Sequence, residues 1–556
     1  MERQDEPDSG RLTDKICEQR LTILGVHVDP PCALRTGIWR PRRLKHDAFL
    51  NVPEKHAEDD ANGSHRSSRD HQYEHHGPDQ ARLPTGEPMN GALSERSREM
   101  AWRERVGVLP TRPPVQFTPM RIPIETYRLP NGLLVSLSED HTAPLVAVNL
   151  WYHVGSANER EGRTGFAHLF EHMLFQGSAH VEANEHFELI QRAGGTLNGS
   201  TWLDRTNYFE TIPSNQLALA LWLEADRMGQ LLPAMTQQKL DTQRDVVMNE
   251  RRWSVDNQPY GTWWERLPAL AYPPGHPFHH SLIGSFEDLT AAQLDDVAQF
   301  FATYYTPDNA VLSIAGDFDP AEARALVERF YGPIPKGQGK PALPAMTLPP
   351  RFGEWRRETV PDAVMLPRLF LAFRIPPFGT PEHDAASIAG AVLGQKKGSR
   401  LYRALVRERQ VASETSAFTF DLAKGNDLLV ADVTARPGIS GDVLEREVAR
   451  EIDALRTTGV SVEELDRAIA LTETQLVVSM QSAGERADKL SLFATYFGDP
   501  SLVNEQVERY HAVTRDEVNA FVESYLGEDN RASLLYVPRD PIAAVETPAA
   551  MVEAMP

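Results

Sequence analysis

The chain has 556 residues, of which 41% are hydrophobic and 24% charged, and its formal net charge is −21. This length and composition indicate a soluble globular protein with two or more domains, while the acidic balance argues against nucleic-acid binding, which needs a basic face. Its two cysteines, Cys17 and Cys32, lie outside the predicted folded region, so we expect no disulfide framework. The sequence contains no run of eighteen apolar residues, so we expect no membrane span.

Residues 1–113 mix scattered histidines with Asp, Glu, Arg, Ser, Gly and Pro and have no helical or strand periodicity. Such a segment cannot bury enough apolar surface to fold, so we predict a disordered acidic extension, with weak metal gathering by its histidines as the alternative. Its apolar run, residues 21–28, is interrupted by polar residues and does not form a signal peptide. We therefore favour a cytoplasmic protein, with a periplasmic one as the alternative if Met100 is the true start.

The first folded domain is predicted to span residues 114–335. Residues 124–137 alternate apolar and polar side chains around a Pro-Asn-Gly turn, which predicts two strands. Residues 145–154 are mostly apolar and predict a buried strand that leads towards a helix.

That helix carries the most informative motif of the chain. Residues 165–175, Gly-Phe-Ala-His-Leu-Phe-Glu-His-Met-Leu-Phe, contain His168, Glu171 and His172 in the order H-x-x-E-H. In an α-helix, positions i and i+4 lie about 40° apart around the axis and about 6 Å apart along it, so both imidazoles can reach one metal ion. Two imidazoles on Zn²⁺ beside a carboxylate that takes a proton from water favour peptide hydrolysis. The order is the inverse of the H-E-x-x-H motif.

Two buried core histidines are the alternative interpretation, but without a metal they would leave polar groups to be satisfied in an apolar setting. Catalytic zinc usually takes three protein ligands, so a third must come from elsewhere. The best candidate is Glu250, in a helical pattern that starts near Thr236. Alternatively, Glu250 is a solvated glutamate paired with Arg251 or Arg252. His276, in a Gly/Pro-rich stretch, is a second candidate for the third ligand.

Residues 336–352 are rich in Pro and Gly and predict a linker. A second αβ domain is predicted over residues 353–540, followed by a tail over residues 541–556.

The two predicted domains also share a sequence pattern. The pattern from Thr290 to Asn309 recurs from Thr514 to Asn530, about 220 residues later. A generic helix-then-strand pattern is the alternative, but together with the linker the repeat supports a duplicated α+β unit.

Four segments resemble the inverzincin peptidases, the family of pitrilysin, insulin-degrading enzyme and the mitochondrial processing peptidase. They are residues 165–177 around the motif, residues 194–208 with Gly-Gly-Thr-Leu-Asn-Gly-Ser-Thr and Asp-Arg-Thr-Asn-Tyr, residues 223–227 (Leu-Glu-Ala-Asp-Arg) and residues 246–250 (Val-Val-Met-Asn-Glu). The resemblance implies an α+β fold of two duplicated domains, each a mostly antiparallel sheet covered by helices, that forms half of a clam-shell chamber.

The resemblance also implies roles for the motif residues. His168, His172 and Glu250 would bind Zn²⁺, one ion per chain, and Glu171 would be the general base.

A substrate-binding segment follows from the same resemblance. Asn198, Gly199 and Ser200 would lie on an edge strand that receives the substrate as an added strand, a binding mode that uses backbone groups more than side chains. An ordinary turn and strand end is the alternative. Family members often carry a second glutamate seven residues before the third ligand; this chain has Gln243 there, which removes a negative charge beside the metal.

A second departure from the family pattern concerns a partner chain. Self-sufficient members carry an arginine and a tyrosine, seven residues apart, that help to hold the substrate, and this chain has Val406 and Ser413 at those positions. Arg407 is one position away, but on a helix it is rotated by about 100° onto another face. We therefore predict a paralogous inverzincin subunit as partner, which lacks the metal motif and supplies the missing pair.

The sequence thus predicts a zinc-dependent endopeptidase, or a subunit of one, that acts on peptides or unfolded polypeptide segments. A subunit that processes leader or targeting peptides and a non-catalytic assembly subunit of the same fold are the alternatives.

Overall fold

A computed structural model describes residues 121–339, 346–422 and 425–539. The predicted extension over residues 1–113 and the predicted tail over residues 541–556 lie outside the described residues. Within the described ranges, no helix combines the length and the apolar character that crossing a bilayer would require.

The described chain forms two halves, each with one sheet and a set of helices. The first half contains β1 (Glu125–Arg128), β2 (Leu134–Glu139), β3 (Leu145–Tyr152), α1 (Phe166–Met173), α2 (Glu185–Arg192), β4 (Thr196–Thr201), β5 (Thr206–Pro213), α3 (Leu217–Gln230), α4 (Gln237–Arg251), α5 (Trp263–Ala271), α6 (Phe286–Thr290), α7 (Leu294–Tyr304), β6 (Ala310–Gly316) and α8 (Pro320–Tyr331). The second half contains β7 (Arg356–Asp362), β8 (Arg368–Ile375), α9 (Pro381–Gly394), β9 (Ala412–Thr419), β10 (Asp427–Ala435), α10 (Gly441–Thr458), α11 (Val462–Ser479), α12 (Ala483–Phe497), α13 (Gln506–Ala512), α14 (Arg515–Tyr525) and β11 (Arg531–Pro538).

The two sheets have the same topology. The first has the strand order β1-β2-β6-β3-β5-β4, and the second has the order β7-β11-β8-β10-β9. In each sheet one pair is parallel, β2 with β6 and β7 with β11, and the other pairs are antiparallel. The predicted α+β fold with two duplicated, mostly antiparallel sheets is therefore confirmed, and β1 is an addition to the first half.

A repeated asparagine contact supports the duplication at the level of side chains. Asn309 Nδ2 donates to Tyr304 O at 2.8 Å, and Asn530 Nδ2 donates to Tyr525 O at 2.7 Å. Each amide thereby closes the end of a helix just before the strand that follows it.

The equivalence of the two asparagines changes the alignment of the two repeats that the sequence pattern suggested. Because Tyr304 corresponds to Tyr525, the residue that matches the Thr514 helix cap is Gln293, and both positions form capping boxes. Thr290 belongs to the preceding short helix α6, so its alignment with Thr514 was wrong by three residues.

Helix α12, from the second half, packs against β3 and β6 of the first sheet. Ala487 shares a small apolar cluster with Ala147 and Ala315. Asp488 Oδ1 accepts a hydrogen bond from Trp151 Nε1 at 3.0 Å, so the contact is polar as well as apolar.

Helix α5, from the first half, packs in turn against β8 and β11 of the second sheet. Its Leu267 and Ala271 are fully buried in one cluster with Phe370 and Leu534. Each half therefore covers part of its sheet with a helix taken from the other half.

Candidate metal centre

The helix α1 carries the H-x-x-E-H motif, and its N-cap residue is a glycine. Gly165 has φ +81°, a left-handed conformation that other residues rarely adopt, and a Cβ at this position would lie 2.5 Å from Ile283 O. Leu169, Phe170 and Met173 are fully buried in the core of the first half. The apolar face of α1 thus fixes the helix, and the motif residues lie towards α4 and β4.

Glu250 lies beside the two imidazoles. Its Oε1 is 3.7 Å from His168 Nε2 and its Oε2 is 3.2 Å from His172 Nε2, and these side chains are at most 14% exposed. α4 starts after the cap residue Thr236, as its pattern predicted, and presents Glu250 near its end. The structure brings the two histidines and this glutamate into one group whose ligand atoms lie within 4.8 Å of one another.

The arginines next to Glu250 have other partners. Arg251 donates to Glu265 and to Gly284 O, and Arg252 Nη1 donates to Asn249 Oδ1 at 2.7 Å. This arrangement differs from the alternative in which Glu250 is a solvated glutamate paired with Arg251 or Arg252.

The donor set and its spacing fit a zinc ion. Ligand atoms about 2.0–2.1 Å from a tetrahedral zinc ion lie about 3.3 Å from one another. The two distances from the Glu250 oxygens to the histidine Nε2 atoms, 3.7 Å and 3.2 Å, are close to this value. His172 Nε2 is buried and, although Glu250 Oε2 lies 3.2 Å from it, it makes no hydrogen bond of acceptable geometry within the described residues. Burying an imidazole nitrogen in this way is costly unless a ligand engages it.

Glu171 faces the edge strand β4. Its side chain is 1% exposed, and its Oε2 accepts a hydrogen bond from Thr201 Oγ1 at 2.8 Å. A Cβ on Gly199 would lie 3.2 Å from Glu171 Oε1, so the absence of a side chain lets the strand approach the carboxylate closely. Sequence reasoning did not assign a role to Thr201, although it lies within a segment that resembles the family.

The predicted substrate-binding residues all lie on β4. This strand pairs with β5, and no other described strand pairs with its outer edge. Asn198 is buried, whereas Ser200 Oγ donates to Asn207 Oδ1 at 2.6 Å. Arg205 Nη1 donates to Ser200 O at 3.1 Å, so one backbone acceptor of the strand already has a partner.

The remaining predicted residues lie outside this group. Gln243 is buried on α4, two helical turns before Glu250. Val406 is 9% exposed within the core of the second half, and Ser413 Oγ donates to Thr434 O and Ala435 O.

His276 does not join the two imidazoles of α1. Its Nδ1 accepts from Phe278 N at 3.1 Å, and its Nε2 lies 2.9 Å from Met346 O. Both ring nitrogens therefore hold a loop in place, which makes His276 unsuitable as the third ligand.

A second buried cluster contains His186, Glu210 and Glu224. Burial lowers the pKa of His186 to about 3 and, with the charge of Glu224, raises that of Glu210 well above its usual value. Arg227 donates to Glu224 through Nε at 2.9 Å and lies 4.0 Å from Glu210. A guanidinium thus supplies the positive charge of this cluster, and a metal ion would be repelled there.

Comparisons with known proteins identify the family of the chain. Residues 134–276 match the family described as Insulinase (Peptidase family M16), and residues 291–472 match the one described as Peptidase M16 inactive domain. The chain is 28% identical to the zinc protease PqqE of Helicobacter pylori over 375 residues, which are 67% of this chain and 83% of that protein.

Solved structures show the same fold. A protease from Helicobacter pylori superposes with a TM-score of 0.71 at 26% identity, covering 75% of this chain and 100% of that one. The periplasmic protease PqqL from Escherichia coli superposes with a TM-score of 0.62 at 20% identity, covering 77% of this chain but only 49% of that one. The chain belongs to the insulinase family of M16 peptidases, the inverzincin family that its four segments resemble, and several of its relatives are named as zinc proteases.

Proposed function

We propose that this protein is a zinc-dependent endopeptidase subunit that hydrolyses peptides or unfolded polypeptide segments. The observation that carries the proposal is the convergence of His168, His172 and Glu250, together with Glu171 on the same helix as the histidines, whose carboxylate is held towards the edge strand. His168, His172 and Glu250 would hold one zinc ion. When bound, zinc supplies the Lewis acidity that activates water and polarises the scissile carbonyl.

Glu171 moves the proton in this proposal. Its Oε1, beside Gly199, takes a proton from the attacking water and then gives it to the nitrogen of the leaving amine. The hydrogen bond from Thr201 to Oε2 orients the carboxylate for both transfers. Because the side chain is almost fully buried, bulk water does not compete for the proton.

The outer edge of β4 positions the substrate. A peptide that pairs with this edge as an added strand passes directly beside Gly199, and hence beside Glu171. Recognition through backbone groups suits extended or unfolded chains, because a folded protein rarely offers an unpaired strand.

A second subunit completes the site in this proposal. Val406 is buried in an apolar core and the Ser413 hydroxyl is bound to backbone carbonyls, so neither residue can replace the arginine and tyrosine of self-sufficient family members. The likeness to half of the PqqL chain supports an active unit built from two copies of this fold. The proposed partner is a paralogous chain that lacks the metal motif and carries the missing pair.

Metal analysis combined with peptide cleavage tests the function. The wild type should bind one zinc per chain and, with the paralogous chain, cleave an unstructured peptide. Glu171→Gln should keep zinc and lose at least about 10²-fold in turnover, whereas His168→Ala should lose both zinc and turnover. Glu188→Gln, at an exposed position on α2, is the matched control.

Three results would each contradict a part of the proposal. A wild-type protein that binds no zinc would refute the zinc peptidase assignment, and a Glu171→Gln variant with wild-type rates would refute Glu171 as the general base. Cleavage by the purified chain alone at ordinary enzyme rates would refute the need for a partner. A strong preference for leader or targeting peptides over general unstructured peptides would favour the processing alternative.

A further inference from the structure

The carboxylate of Glu159 caps the helix that carries the two histidines. Its Oε2 accepts from Gly165 N at 2.9 Å and its Oε1 accepts from Ala167 N at 2.7 Å. The Glu159 side chain is fully buried. The first N–H groups of an α-helix have no partner within the helix, and the two Glu159 oxygens supply the acceptors at this end.

This cap lies close to the proposed ligand His168. Ala167 immediately precedes it, and both residues belong to the first turn of α1. Any loosening of this turn would move the His168 imidazole more than that of His172, because His172 lies one turn further along the helix. The separation between His168 Nε2 and Glu250, now 3.7 Å, therefore depends on the cap.

A second anchor holds Thr164, two residues before the helix. Asp288 Oδ2 accepts from Thr164 N at 2.9 Å and from Thr164 Oγ1 at 2.5 Å. Asp288 thus fixes the approach of the chain to α1 from outside the helix.

The segment that carries Asp288 also touches the helix of the third proposed ligand. Gly284 O accepts from Arg251 Nη1 at 2.8 Å, and Arg251 follows Glu250. A Cβ on Gly284 would lie 2.5 Å from Gly165 Cα, so the backbones at the start of α1 and at Gly284 are in direct contact. Residues 284–288 therefore connect the first turn of α1 to the end of α4.

We propose that Glu159 and Asp288 are positioning residues that set the distance between the histidine pair and Glu250, and hence the affinity of the site for zinc. This inference rests on the proposed function, since it takes these three residues as the zinc ligands. Glu159 and Asp288 are not among the proposed ligands; they act through the backbone N–H groups of residues 164–167.

Zinc affinity measured by competition with a chelator tests this role. Glu159→Gln keeps the shape of the side chain but places an amide NH₂ against a backbone N–H, and we expect the zinc Kd to rise about 10- to 100-fold. Asp288→Ala removes the acceptor for Thr164 and should raise the Kd in the same direction. Glu287→Gln, an exposed neighbour of Asp288, should stay within twofold of the wild type.

Cobalt substitution separates positioning from a general loss of stability. The visible spectrum of the Co²⁺ protein reports ligand geometry, so we expect it to change in Glu159→Gln and not in Glu287→Gln. A purely structural role would lower the Tm but leave both the zinc Kd and this spectrum unchanged well below the Tm.

The outcomes distinguish this inference from the proposed function. If the wild type binds zinc and both Glu159→Gln and Asp288→Ala bind it within twofold of the wild type, the positioning role is wrong while the peptidase proposal stands. If Glu159→Gln does not fold, Asp288→Ala decides the question alone. A wild type that binds no zinc refutes both.

Discussion

Thr201 Oγ1 donates a 2.8 Å hydrogen bond to Glu171 Oε2, and so the last residue of the edge strand β4 holds the carboxylate of the proposed general base. Both side chains are buried, which protects the contact from water. The proposed substrate-binding strand β4 and the proposed general base Glu171 are therefore directly linked by a hydrogen bond.

Removal of this hydrogen bond should slow the chemical step. Thr201→Val keeps the shape of the side chain but removes the donor, and we expect kcat to fall about 10- to 100-fold because the carboxylate loses its orientation. Zinc content and KM should change little. Thr196→Val, at an exposed position on the same strand, is the control. A kcat equal to that of the wild type would show that Thr201 does not orient Glu171.

A side chain at position 199 should disturb the same carboxylate by contact. The Cβ of Gly199→Ala would lie 3.1 Å from Glu171 Cγ and 3.1 Å from Phe175 Cε2, so one of these groups must move by a few tenths of an ångström. We expect lower kcat/KM with little change in Tm. Gly484→Ala, whose Cβ would approach nothing closer than 3.5 Å, should leave kcat/KM unchanged. Full activity of Gly199→Ala would show that β4 can accommodate a methyl group at this position without displacing Glu171.

Zinc should stabilise the folded protein. A ligand at 100 times its Kd that binds only the folded state adds about 2.7 kcal/mol to the free energy of unfolding. We expect zinc to raise the Tm of the metal-free wild type, and His172→Ala to abolish this rise. His141→Ala, at an exposed position far from the motif in sequence, should retain it. Persistence of the rise in His172→Ala would place the zinc elsewhere.

The stability of the second half should depend on pH through His383 and Asp427, which are buried and 3.2 Å apart. Burial raises the pKa of Asp427 to about 7. Burial opposes a charged His383, but its hydrogen bond to Asp427 and the nearby Asp421 raise its pKa above the usual value. Both groups therefore bind protons more tightly in the folded chain than in the unfolded chain.

The sign of the effect follows from these two shifts. The stabilisation from Asp427 is complete below its unfolded pKa of 3.8 and is lost as the pH rises through about 7, and the contribution of His383 is lost in the same direction. We expect the free energy of unfolding, measured with urea, to fall between pH 5.5 and pH 8 by about 2 kcal/mol more in the wild type than in Asp427→Asn. Equal losses in the two proteins would show that the pair does not titrate in this range.

Local spacing was enough to predict α1, α4 and the strands β1 to β3, because periodicity and caps are visible over a few residues. The residues alone favoured Glu250 over His276 as the third ligand but could not decide between them, because no local signal joins residues so far apart in sequence. The family resemblance supplied that choice, and the roles of these residues stay predictions.

Other contacts had no signal in the sequence. Glu159 caps α1 from a loop outside the helix, and Thr201 reaches Glu171 only after β4 has joined the sheet. The packing of α5 and α12 on the opposite sheets depends on tertiary structure alone. The predicted domain boundaries are likewise untested by these contacts and stay predictions.

The crossing of α5 and α12 between the halves has a consequence for protein engineering. A gene split between residues 339 and 346 would yield two fragments, each of which exposes a sheet face that its missing counterpart normally shields. Neither piece should stay monodisperse by itself, whereas coexpression should restore a tight noncovalent complex. Proteolytic cleavage at that point should accordingly leave the two fragments associated, and they should elute together as a single species in gel filtration.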